Sequence, residues 1–229
     1  MVGSWDGGMV ERAVVVDDLR RVSSRWARPV GWQRGTAVVL APGAGAPMDH
    51  PFLRFMQRAL AAQGFLVVSF NFPYQEAGRR APDRAPVLEA TWRAVLAAVR
   101  DETPARLILG GKSMGGRIAA QVAAAGAPCD GLVFLGYPLH PPGRTERLRD
   151  APLRVLRQPL LFVQGERDRL CDLGLLQVIL GELSAPVSLH VVAEGDHSFK
   201  VPKRAGRDER AVWAEVASVV GHWIGEYCL

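Results

Sequence analysis

From about residue 36 onward the chain alternates short apolar runs with longer segments whose apolar positions recur at helical spacing. Thr36–Ala41 is rich in β-branched and apolar residues and ends in the turn cluster Pro42-Gly43-Ala44-Gly45. Pro51 to Gln63 then sets Phe52, Phe55, Met56, Ala59 and Leu60 on one helical face. Arg54, Gln57 and Arg58 lie opposite, and Gly64 supplies a stop. The same alternation predicts strands over Phe65–Phe70, Leu107–Gly110, Gly131–Gly136, Leu160–Val163 and Val187–Val192. It predicts helices over Val87–Val99, directly after Ser113, near Leu173–Leu183 and over Glu209–Trp223. Ala13–Val16, ahead of any helix, predicts an antiparallel edge strand.

Apolar strands alternating with helices predict an α/β class with a mostly parallel sheet covered on both faces. No internal repeat or low-complexity linker interrupts the 229 residues, so the chain reads as one domain over 1–229. In such sheets the chemistry gathers at the carboxyl ends of the strands. Three irregular segments leave those ends: Pro42–His50, Asn71–Pro86 and Tyr137–Gln158.

Composition removes several function classes. No run approaches the roughly 20 apolar residues of a membrane span, and Met1–Asp18 lacks the cationic-then-apolar order of a secretory signal. Cys129, Cys171 and Cys228 are odd in number and widely spaced, without metal-ligand spacing or a disulfide framework. They read as reduced thiols of a cytoplasmic protein. The net charge is +5, but only three of the 28 basic residues are lysine and the arginines are scattered, so nucleic-acid binding is not expected.

The stretch densest in chemistry is Gly111-Lys112-Ser113-Met114-Gly115, between the run Arg106–Gly110 and a helical segment. A G-x-S-x-G on a strand-to-helix turn is the pattern of a nucleophile elbow, with Ser113 as the nucleophile. A chance glycine-rich turn is the bland alternative. A phosphate-binding loop is a second one, since Gly111-Lys112-Ser113 matches the end of G-x-x-x-x-G-K-[ST]. Its first glycine would fall at Arg106, and the loop would overrun the strand.

A serine hydroxyl needs a base to take its proton and donors for the oxyanion it creates. Asp168, in the segment after the Leu160–Val163 strand, is the candidate acid, with Glu166, Asp172 and Asp196 as competitors. Asp172 is better placed as a helix cap. His197, after the Val187–Val192 strand, is the candidate base, because it follows both Ser113 and Asp168 in a post-strand loop. His190 and His222 fall inside elements, His50 begins a helix, and His140 is the outside alternative. The amides of Met114 and Ala44 are the candidate oxyanion donors.

With these residues placed, the chain resembles the α/β-hydrolase superfamily over about residues 35 to 227. It is similar to small bacterial serine hydrolases of the dienelactone-hydrolase-like and KANL/Tex-like branch. The residues carrying the likeness are Pro42–Gly45 with Met48–Pro51, Asn71–Tyr74, Gly110–Arg117, Gly136–Pro142 and Gly195–Phe199. The resemblance implies an α/β-hydrolase fold, a three-layer α/β/α sandwich on an eight-strand-like sheet, and a Ser113–Asp168–His197 triad. Two positions depart from the commoner pattern. Pro42 stands where many members have histidine, and Ser113 stands where dienelactone hydrolases use cysteine, which argues against dienelactone as substrate.

The segment between the Gly131 and Leu160 strands is too short for a large cap or lid, so an open cleft for small or exposed acyl esters is expected. No cofactor or metal is implied. Tyr74, Glu76, Arg79 and Arg80 are expected to line one wall. The arginines either favour anionic acyl groups or form a solvated, ion-paired loop. Lys112 either pairs locally or touches substrate. A non-catalytic module on the same fold, acyl transfer, and amide hydrolysis are the other readings of these residues.

Overall fold

A computed structural model describes residues 7–227, so Cys228 lies outside the described residues. Eight strands form one sheet in the order β1-β2-β4-β3-β5-β6-β7-β8. They are β1 (Gly8–Asp17), β2 (Arg20–Arg28), β3 (Thr36–Ala41), β4 (Leu66–Phe70), β5 (Arg106–Lys112), β6 (Gly131–Leu135), β7 (Leu160–Gly165) and β8 (Val187–Val192). From β4 across to β8 every neighbouring pair is parallel, while β1–β2 and β2–β4 are antiparallel.

The parallel strands are apolar on both faces because both faces are covered. In β3, Ala37, Val39 and Ala41 enter one core cluster, while Val38 and Leu40 enter the other. The first cluster lies under α3 (Ala85–Arg100), α4 (Met114–Ala124) and α6 (Leu173–Glu182), through Trp92, Ile118 and Leu176. The second lies under α1 (Pro51–Ala61) and α7 (Glu209–Tyr227), through Phe52, Met56, Val216 and Val220. Burial of each such large side chain stabilises the fold by about 1.5–3 kcal/mol. The result is the three-layer sandwich that the alternating pattern predicts.

Two differences from the sequence reading have physical causes. The edge expected at Ala13–Val16 is a full hairpin, and its return strand β2 carries arginines at 20, 21, 25 and 28. Val22, Ser24, Trp26 and Ala27 are its buried positions, and the arginines around them hide the apolar signal. Gln57, expected on the solvent face of α1, is buried instead. Its amide donates to the carbonyls of Arg25 at 2.8 Å and Val67 at 3.2 Å, tying α1 to β2 and β4.

The segment from β6 to β7 holds only the short α5 (Ala151–Val155), so no cap domain stands over the sheet. A second short helix, α2 (Pro73–Glu76), follows β4.

Candidate active site

β5 ends at Lys112, and the chain turns sharply at Ser113 into α4. Ser113 has φ 52° and ψ −115°, a backbone conformation that L-residues seldom adopt. The turn is this tight because the first turn of α4 presses on the end of β3. A Cβ on Gly115 would lie 2.4 Å from the Ala41 carbonyl oxygen, and one on Gly111 would lie 2.6 Å from the same atom. Glycine at both positions is therefore a steric requirement, not a flexibility device. The segment Arg106–Lys112 is strand throughout, which leaves no phosphate loop before Ser113.

Ser113, His197 and Asp168 come from three post-strand turns and meet in one row. Ser113 Oγ lies 2.8 Å from His197 Nε2, and His197 Nδ1 lies 2.7 Å from Asp168 Oδ2. With a carboxylate at Nδ1, the ring carries its proton there and turns the Nε2 lone pair toward Ser113. The Asp168 side chain is fully buried, whereas that of His197 is a quarter exposed. Gln164 Nε2 donates to Asp168 Oδ2 at 2.5 Å, and the Leu170 amide donates to Oδ1 at 2.8 Å. Both carboxylate oxygens are thus held by donors.

The loop bearing His197 is shaped by Asp196, whose Oδ1 accepts from the amides of Ser198 at 2.8 Å and Lys200 at 2.9 Å. Lys112 reaches across from β5, donates to the His197 carbonyl, and sits 5.2 Å from the centroid of the Phe199 ring. Burial pulls the Lys112 ammonium down to about 8, with the charges of Asp168 and Asp196 opposing that fall. Of the two sequence readings for this lysine, the local pairing is the one observed.

The competing acids and histidines have other partners. Glu166 accepts from the Glu194 amide at 2.6 Å, and Asp172 caps α6 by accepting from the Leu175 amide at 2.9 Å. His140 is buried, with Nδ1 2.9 Å from the Pro141 carbonyl and Nε2 accepting from the Asp172 amide at 2.9 Å. His190 pairs with Glu215 and His222 with Glu226. His50 lines the cavity beside Ser113, and burial followed by the Lys112 charge holds its imidazole below the ordinary range.

The turn after β3 brings Gly43 and Ala44 against Ser113. Among the described residues, no bond is made by the amide of Ala44 or of Met114, the first residue of α4. Tyr74 and Arg79 do not line the cleft as expected. Tyr74 is fully buried in the α2 turn, and its hydroxyl accepts from the Gly45 amide at 3.0 Å. Arg79 pairs with Asp83 at 2.6 Å, and Asp83 also accepts from the Tyr74 amide at 2.8 Å. Tyr74 is therefore a support for the glycine turn. Arg79 belongs to a salt-bridged surface loop, the second of the two readings.

Two cavities flank Ser113. One, of about 360 Å³, is lined by His197, His50, Phe52 and Leu53. The other, of about 380 Å³, is lined by Asp83, Leu88, Met114, Arg117 and Arg149. Gln164, Arg117 and Arg149 are the residues that sequence reasoning passed over. Gln164 carried one available signal, a lone amide closing the apolar run Leu160–Val163. Among the described residues no His, Cys, Asp and Glu cluster could hold a metal ion, and no helix is long and apolar enough to cross a membrane.

This sheet order, with an elbow after β5 and functional loops after β7 and β8, is that of the α/β-hydrolase fold. The chain belongs to the family described as alpha/beta hydrolase domain, whose family model matches residues 34–225. Three solved structures illustrate the likeness. A dienelactone hydrolase from Anabaena variabilis is 18% identical with a TM-score of 0.75, covering 96% of this chain and 98% of its own. A serine hydrolase without lid from Xanthomonas campestris is 22% identical with a TM-score of 0.73, covering 96% and 94%. Est1E from Butyrivibrio proteoclasticus is 10% identical with a TM-score of 0.75, covering 95% and 98%.

Proposed function

We propose that the protein is a serine hydrolase that cleaves small or exposed carboxylic esters through an acyl-enzyme. The observation that carries this reading is the continuous row from Ser113 Oγ through His197 to the buried Asp168. In the first step His197 Nε2 takes the Ser113 proton as Oγ adds to the ester carbonyl. The Met114 and Ala44 amides receive the oxyanion, and a lost donor of this kind costs about 10²–10³ in kcat. His197 then returns the proton to the departing alkoxide oxygen, so the leaving alcohol exits on the side that His197 lines. Water, deprotonated by the same imidazole, attacks the acyl-enzyme and restores the free hydroxyl. Asp168 fixes the ring orientation throughout.

The name of one similar structure, a serine hydrolase without lid, agrees with this reading. So does the absence of a cap between β6 and β7, which suits a compact or exposed ester. The test is a series of 4-nitrophenyl acyl esters of graded length, run beside a fluorophosphonate probe. Wild type should turn over the shorter esters and take up one probe per chain at Ser113. Ser113→Ala should lose the labelling and about 10⁴-fold or more in kcat. Folded wild type that neither labels nor hydrolyses any ester would overturn the proposal.

A further inference from the structure

The two cavities beside Ser113 differ in chemistry. The one that His197 lines is walled by Phe52, Leu53, His50 and Lys112, whose ammonium is bonded to the His197 carbonyl, whereas the other is lined by two arginines, Arg117 from the first turns of α4 and Arg149 from the segment before α5. Both arginines are half-buried. Among the described residues neither lies within ion-pair distance of a carboxylate, whereas of the other five half-buried arginines four do, Arg20, Arg25, Arg28 and Arg207. Among the described residues the Arg149 guanidinium has one hydrogen-bond partner, the Pro138 carbonyl, at 3.3 Å. Asp83 also lines this cavity, and its two carboxylate oxygens are taken up by Arg79 and the Tyr74 amide.

Two half-buried guanidinium groups that line one cavity without a carboxylate partner offer their donors to an anion. Burial and then the neighbouring Arg149 charge push the Arg117 guanidinium below its ordinary value.

Resting on the reading of Ser113 as nucleophile, we propose that Arg117 and Arg149 form an anion subsite for the acyl half of the substrate. The preferred ester would thus carry a carboxylate or phosphate on its acyl chain. The side is set by the mechanism: the leaving alcohol must meet His197, so the cavity away from His197 receives the acyl chain. Arginine suits the task because its fork of donors matches either anion in two parallel bonds.

The experiment compares kcat/KM for the 4-nitrophenyl half-ester of glutaric acid with that for the methyl-capped diester of equal length. A third substrate, 4-acetoxybenzoate, carries its anion on the leaving group. In wild type the half-ester should be preferred over the capped ester by about 10- to 100-fold, from charge-assisted bonds of the usual strength. The preference should shrink with added salt. Arg117→Gln and Arg149→Gln should each cut that ratio about tenfold, and 4-acetoxybenzoate should show no comparable preference. Because the Arg117 side chain makes no hydrogen bond or ion pair among the described residues, its variant should melt close to wild type. Free glutarate and inorganic phosphate as competitive inhibitors of wild type then separate the two anions.

An unchanged ratio in the folded variants, or a preference for the anion on the leaving group, would overturn the subsite while leaving the hydrolase reading intact. No turnover of any of the three esters by folded wild type would instead sink the hydrolase reading.

Discussion

The Lys112 ammonium and the His197 carbonyl, 85 residues apart in the chain, are joined by a hydrogen bond that ties the serine turn to the histidine loop. The clamp fixes the position of the imidazole relative to Ser113 Oγ without touching either reacting atom. Lys112→Met keeps the apolar stem and removes the donor. It should lower kcat about 10- to 100-fold, since displacement of a catalytic group by about 1 Å is enough for that. KM should move little. Steady-state kinetics with a neutral 4-nitrophenyl ester checks this, and an unchanged kcat would show that the loop needs no clamp.

The same lysine gives stability a pH dependence. Its proton is held to 10.5 in the open chain but only to about 8 in the fold. Between those values the unfolded state binds the extra proton, so this residue's contribution to stability rises with pH. Burial holds the Cys129 and Cys171 thiols up at about 12 from an ordinary 9.0, which pulls the other way above about pH 9. The lysine's part is therefore the difference between wild type and Lys112→Met. Urea midpoints at pH 7.5 and pH 9 should show wild type gaining on the variant as pH rises. A constant difference would contradict the expectation.

Tyr74→Phe removes one oxygen from a fully buried site and leaves the Gly45 amide without its acceptor. Gly45 is exposed and its amide can turn to water, so the loss is that of one net hydrogen bond, about 0.5–1.5 kcal/mol, which for a chain of this size lowers Tm by about 1–6 °C. The oxyanion turn loosens at the same time, so kcat should fall more than KM rises. Calorimetry together with steady-state kinetics reads both, and a loss of Tm with full kcat would confine Tyr74 to a structural role.

Asp168→Asn and Gln164→Leu should separate orientation from support. Asn places an amide beside Nδ1 and favours the wrong tautomer, an effect worth about 10⁴ in kcat in the Ser-His-Asp hydrolases where it has been measured. Gln164→Leu leaves His197 and Asp168 in contact but strips a donor from Asp168 and the acceptor from the Tyr137 amide, 2.9 Å away. Its kcat should fall by a smaller factor and its Tm by more. Circular dichroism melts beside kinetics would reveal the opposite ranking if the assignment is wrong.

Strands β3 to β7 were legible because each is a largely apolar run, buried on both faces and bounded by turn residues, and the half-buried edge strand β8 by its β-branched positions. Ser113, Asp168 and His197 were legible because the elbow pattern and the post-strand positions are local in the chain. β2 was hidden by arginines that surround its buried positions. The placement of Tyr74 was misread because a tyrosine in an irregular segment looks exposed until its hydroxyl is seen to find Gly45. Arg117 and Arg149 look like any of the scattered arginines in sequence. Only the tertiary structure shows that Arg79 has a carboxylate and that these two do not.

The backbone of Ser113, held at φ 52° and ψ −115°, makes this residue a point of conflict between endurance and activity. Such a conformation costs about 1–3 kcal/mol for a residue with a Cβ, and glycine would occupy it freely. A chain carrying Ser113→Gly should therefore melt above wild type, while Ser113→Ala, which keeps the Cβ, should not. The protein would be sturdier without the hydroxyl that the fold is arranged to present.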